Sequence, residues 1–212
     1  MKPLAAAAAA VVALALAGVA PGATAPRYDK WIVGAYGFSI ILPASWAPVP
    51  RTVAAVRQTI ANLKKAGKTA EANAYAYYLT PAGRLELKAY VFQAFDTTPT
   101  TDPLVPQVAV QVTRGKRPYR QSDLKAAAYE YAATIANGTK GSKVAVPLPI
   151  KLPIGPAETF EATIPAGQVT RGIEMYLTIH AGKLYVFSFQ IDARYLAEAK
   201  LFRSIAENVR WT

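Results

Sequence analysis

Residues 172–191 read GIEMYLTIHAGKLYVFSFQI. Ile173, Met175, Leu177 and Ile179 alternate with Glu174, Tyr176 and Thr178, and after a Gly-containing turn Tyr185, Phe187 and Phe189 alternate on the way back. A period of two on both sides of a glycine turn predicts a β-hairpin. Upstream, AETFEATI (157–164) reads as a further strand, and KVAVPLPIKLP (143–153) as an extended segment that its prolines confine to a sheet edge. Downstream, Leu196, Ala199, Phe202, Ile205 and Val209 recur at helical spacing behind Asp192 and predict a closing helix.

The first half of the chain is more mixed. GFSIILPASW (37–46) places Phe38, Ile40 and Leu42 on one face of an opening strand, Tyr36 to Leu42, which Pro43 ends. These three and Trp46 are expected in the core, because large aromatic side chains gain most where they bury most area. Val53, Val56, Ile60 and Leu63 then predict a helix stopped by Gly67, and Thr69 to Leu79 a second helix halted at Thr80-Pro81. In NAYAYYL (73–79) Tyr75, Tyr78 and Leu79 are expected inward and Tyr77 outward. RLELKAYVFQAF (84–95) alternates and predicts a strand, as does QVAVQVT (107–113), with the loop DTTPTTDPLVP (96–106) between them. A helix entered at Ser122 or Asp123 follows, with Leu124, Ala128, Tyr131 and Ile135 on its apolar face and Asn137-Gly138 at its end. Each segment has one apolar face, so helices covering an antiparallel sheet form the expected α+β architecture.

The leader is of another kind. Lys2 is the sole charge before Arg27, and Leu4 to Ala20 is an Ala/Val/Leu run with one glycine. A basic start, an apolar middle and a small-residue exit define a secretory signal peptide over residues 1–25. Ala15-Leu16-Ala17 and Ala23-Thr24-Ala25 both fit the exit, the earlier one better because Pro26 follows the later; an uncleaved membrane anchor is the rival reading. Residues 26–212 are then one domain with a helical insertion at about 51–79, in a secreted, extracytoplasmic protein. The chain has no cysteine, which excludes disulfides, thiol nucleophiles, thiolate metal sites and a lipoprotein anchor.

The formal net charge is +11, and setting aside Lys2 lowers it by one unit. A basic secreted protein is drawn to anionic surfaces. The densest cluster is RGKRPYR (114–120), where Arg114, Lys116, Arg117 and Arg120 surround Tyr119. Arginine forks match phosphate and carboxylate oxygens, so these five residues are the expected partner-binding site. Interleaved Arg and Tyr also suit nucleic acid, but no nucleic-acid fold is legible. His180, the one histidine, falls at the hairpin turn with no nucleophile or orienting acid near it in sequence, and is expected as an exposed turn residue. Asp96 and Asp102 flank a turn-rich loop without calcium-loop spacing, and Glu158, Glu161 and Glu174 are expected to face solvent. No glycine-rich phosphate cradle follows a strand. Catalytic residues, metal and cofactor are therefore expected to be none.

The order of YGFSIILPASW (36–46), AYVFQAFD (89–96), VPLPIKLPIGPAETFEATI (146–164), YLTIHAGKLYVFSFQI (176–191) and LFRSIAENVRW (201–211) resembles the PsbP-like family. Within it, the chain is most similar to the LpqN-type secreted proteins of actinobacteria. The resemblance implies an αβα sandwich on an antiparallel sheet, and a family whose members mostly bind other molecules. It implies no shared catalytic residues. The expected function is a non-enzymatic binding module of the cell envelope that contacts an acidic protein or anionic envelope component. The alternative is a carrier of a small apolar ligand held between the sheet and the helices of 51–79. A hydrolase would need His180 to meet a carboxylate and a hydroxyl in space.

Overall fold

The computed structural model describes residues 27–98, 104–198 and 200–212. The expected signal peptide (1–25), Asp102 and Ala199 lie outside the described residues. In chain order the elements are β1 (Tyr28–Val33), β2 (Phe38–Pro43), β3 (Trp46–Pro48), α1 (Val53–Lys65), α2 (Thr69–Ala76), α3 (Pro81–Ala89), β4 (Phe92–Asp96) and β5 (Gln107–Thr113). They continue with α4 (Leu124–Gly138), β6 (Lys143–Val144), β7 (Leu148–Leu152), β8 (Gly155–Ala166), β9 (Val169–His180), β10 (Lys183–Asp192), α5 (Lys200–Glu207) and β11 (Arg210–Trp211). No described helix is long and apolar enough to cross a membrane.

The predicted hairpin is β9 and β10, paired from Lys183 opposite His180 to Asp192 opposite Arg171. Its turn needs left-handed backbone at both central positions, and Ala181 (φ 47°) and Gly182 (φ 72°) supply it. Around the hairpin an eight-stranded antiparallel sheet runs in the order β3-β4-β5-β10-β9-β8-β6, with β7 also on β8. The alternation read from the sequence sorts its two faces. Ile173, Met175 and Leu177 of β9 join Leu184 and Val186 of β10 beneath α4, against Leu124, Ala127, Ala128 and Ala132. Tyr176, Tyr185, Phe187 and Phe189 point the other way, towards α5 and β2.

On that second face the opening strand belongs to a smaller antiparallel sheet, β1-β2-β11. Phe38, Ile40 and Leu42 are fully buried and Trp46 is 3% exposed, all in the core as expected. Phe38 sets its ring edge-on to Tyr185 at 6.2 Å and to Phe187 at 5.8 Å. Each such pair contributes about 1 kcal/mol beyond its buried area. The architecture is α+β, an antiparallel sheet flanked by helices.

Four elements depart from the sequence reading. Residues ahead of the expected opening strand form β1, whose alternate residues Trp31 and Val33 pack on the core while Tyr28 and Ile32 stay exposed. Residues 84–89, read as strand, are helical. Thr80 accepts the Gly83 N–H at 3.1 Å and Pro81 occupies the first turn, so the Thr-Pro pair starts α3 instead of only ending a helix. Leu87 and Gly83 face inward and Leu85 is 67% exposed, a helical rather than alternating pattern. The helical stretch between β3 and β4 accordingly runs to Ala89. The closing helix starts at Lys200, after a 3-10 segment at Ala193–Glu198 whose first turn Asp192 holds by accepting the Arg194 N–H. Finally, β11 was not expected: Arg210 and Trp211 pair with Ser39 and Phe38, and the Trp211 indole N–H donates to the Ile154 carbonyl at 2.8 Å.

Candidate functional site

The basic loop leaves the end of β5 at Arg114 and enters α4 through a 3-10 turn at Gln121–Asp123. β5 pairs with β10, with Thr113 opposite Leu184, so the loop and the hairpin turn share one end of the sheet. The Tyr119 N–H donates to the Gly182 carbonyl at 3.0 Å, fastening the loop to the turn. Pro118 lies against Gly182 so closely that a Cβ there would stand 2.9 Å from the Pro118 Cβ. Glycine is thus required twice at this position, for its positive φ and for its bareness.

The five predicted residues do not act alike. Arg117 is a brace: its Nη1 and Nη2 donate to the Asp123 carboxylate at 2.8 and 2.9 Å. The Arg120 N–H donates to the same carboxylate at 2.7 Å. The Arg117 guanidinium, then the Arg120 backbone, hold the Asp123 carboxyl well below the usual carboxylate range. Tyr119 is half-buried and packs on the core beneath α4. Arg114, Lys116 and Arg120 are exposed, and their side chains form no ion pair among the described residues. Lys183, from the hairpin, joins Arg114, Lys116 and Arg117 around an open recess of about 380 Å³. Lys183 escaped the sequence reading because its nearness to the loop depends on β5 and β10 being neighbours, which no local pattern states.

His180 is not a bare turn residue. Its ring stacks on Trp211 at 4.0 Å with 12° between planes, and meets the edge of Tyr185 at 6.4 Å. Its side-chain contacts are aromatic, and the ring makes no hydrogen bond or ion pair among the described residues. The carboxylates divide. Glu161 is exposed, but Glu158 is 7% exposed, on the same face of β8 as Phe160 and Ala162, which pack with the residues of α4. Glu174 is half-buried and accepts the Tyr176 hydroxyl; burial pushes its carboxyl up. Asp96 accepts the Thr98 N–H and hydroxyl in a local turn. Nowhere among the described residues do three or more His, Asp or Glu side chains gather as a metal site.

A second location lies where α2 and α3 meet the sheet. Tyr75 and Tyr78 are buried and Tyr77 is 43% exposed, as expected. Tyr75 donates to the Pro48 carbonyl and meets Phe95 edge-on at 5.0 Å. Burial, and secondarily Glu71, push its hydroxyl up to about 12. Two open recesses flank this seam, of about 440 Å³ and 290 Å³, sharing Ala74, Phe95 and Val105 as walls.

The fold is PsbP-like. The chain superposes on the solution structure of cyanobacterial PsbP from Synechocystis sp. PCC 6803 with a TM-score of 0.57 and 13% identity, covering 92% of this chain and 99% of that one. It also superposes on the crystal structure of LpqN, involved in cell envelope biogenesis of Mycobacterium tuberculosis, with a TM-score of 0.52 and 11% identity over 88% of this chain and 91% of that one. No protein-family profile and no curated protein sequence matches the chain.

Proposed function

We propose that this is a secreted, non-enzymatic binding module of the cell envelope that contacts an acidic protein or anionic envelope component through the Arg114 to Arg120 loop. The observation that carries the reading is the division of labour in the loop. Arg117 is spent on Asp123, which fixes the loop, while Arg114, Lys116 and Arg120 remain exposed. Cations held on a rigid loop lose less entropy on docking than cations on a floppy one. The envelope setting is supported by the leader composition and by the LpqN likeness, a protein involved in envelope biogenesis. The test is a pull-down of isolated envelope material with all four cations changed to serine, beside a variant that keeps Arg117. Both should lose capture; capture by either at the wild-type level would discard the loop.

A second reading, a carrier of a small apolar ligand between sheet and helices, draws on the recess of about 440 Å³ beside α2. Native mass spectrometry of the protein as purified should then show a bound ligand mass, and a bare chain counts against it.

A further inference from the structure

The smaller recess at the α2–α3 seam carries two side chains of opposite charge that form no ion pair among the described residues. Tyr77, Glu86, Gln107 and Arg171 form its polar rim, and Phe95, Leu104 and Val105 part of its apolar wall. Glu86 is fixed in place: the Tyr77 hydroxyl donates to one carboxylate oxygen at 2.6 Å, and the amide of Gln93, 6% exposed, donates to the other at 3.2 Å. Each oxygen keeps a further lone pair. Arg171, from the start of β9, is half-buried, and its side chain makes no hydrogen bond or ion pair among the described residues. It nevertheless stands close enough for its charge to oppose the rise in the Tyr77 and Tyr90 hydroxyl pKa values, a rise due mainly to burial.

A half-buried guanidinium without a partner leaves bidentate donor capacity unused, while a tethered carboxylate across the same recess leaves acceptor capacity unused. A purely anionic ligand would face Glu86, and a purely cationic one would face Arg171. A molecule with both charges satisfies both. We propose that this recess binds a free α-amino acid with an apolar side chain, its carboxylate on Arg171, its ammonium on Glu86 and its side chain against Phe95, Leu104 and Val105. The volume of about 290 Å³ is enough to admit one such molecule. The site lies at the opposite end of β9 from the basic loop and does not depend on the envelope reading.

The test is calorimetric titration of the full chain with leucine, leucinamide and N-acetylleucine. Leucine should bind saturably, and each derivative, lacking one charge, should bind roughly tenfold or more weakly. Arg171→Gln should remove the preference for leucine over leucinamide and keep that over N-acetylleucine; Glu86→Gln should do the reverse. N-acetylleucine or leucinamide binding the wild-type chain as well as leucine does would overturn the proposal. So would the absence of saturable binding by leucine at millimolar concentration. The wild-type comparison stands whether or not either variant folds.

Discussion

Asp123 gives the basic loop its shape. Its two oxygens take both forks of Arg117 and the Arg120 N–H, so one carboxylate draws together the middle and the end of the cationic stretch. The folded state holds its pKa below the unfolded value of about 3.9. The sign follows: the contribution to stability is complete above the unfolded pKa and is lost as pH falls through the depressed folded value. Asp123→Asn should therefore flatten the acid side of the stability profile below about pH 4, with little change in profile shape at neutral pH. Urea melts across that range check it, and an unchanged acid limb would show that the pair is too solvent-screened to matter. The opposite case is Glu158: the period of two puts it on one face with Phe160 and Ala162, and only its charge argued against the buried place that the fold gives it.

The helices between β3 and β4 show where local pattern suffices and where it misleads. α1 was legible because Val53, Val56, Ile60 and Leu63 keep one period from the Thr52 cap to Gly67, and Thr52 does accept the Ala55 N–H at 3.1 Å. α3 was not, because Leu85, Leu87, Ala89 and Val91 alternate by accident across a helix-to-strand junction. What sets its position is a close approach. A Cβ on Gly83 would lie 2.3 Å from the Tyr77 carbonyl oxygen and 2.6 Å from the Tyr78 Cα, so α3 packs backbone to backbone on the turn before it. Gly83→Ala should cost about 2 kcal/mol in a denaturant melt, from forced separation of these two backbones. It should also loosen the Tyr77–Glu86 hydrogen bond that spans them. A variant as stable as wild type would mean that the two segments slide apart freely. β1 and β11 were missed because neither carries a clean apolar alternation: β1 sets Trp31 and Val33 on the core beside the adjacent β2, and the two-residue β11 reaches β2 and Ile154 only across the fold.

Taken across the chain, the hairpin at β9–β10 organises everything else: one face accepts α4, the other accepts β2 and α5, and its turn receives the basic loop. The five loop residues were legible as a charge cluster, but their separate roles were not, since Asp123 and Gly182 reach them only through the fold. Lys183 and the Glu86–Arg171 recess were invisible for the same reason. If exposed cations on a fixed loop are the contact surface, attraction must be screened as the Debye length shrinks from about 8 Å to about 3 Å between physiological and molar salt. The decisive quantity is the salt dependence of affinity for one envelope fraction. It should be measured for the wild-type chain and for a variant with Arg114, Lys116 and Arg120 changed to serine and Arg117 retained on Asp123. Wild-type affinity should fall steeply with salt, while the variant should bind weakly and respond little. Equal affinities with equal salt slopes would contradict a role for the loop.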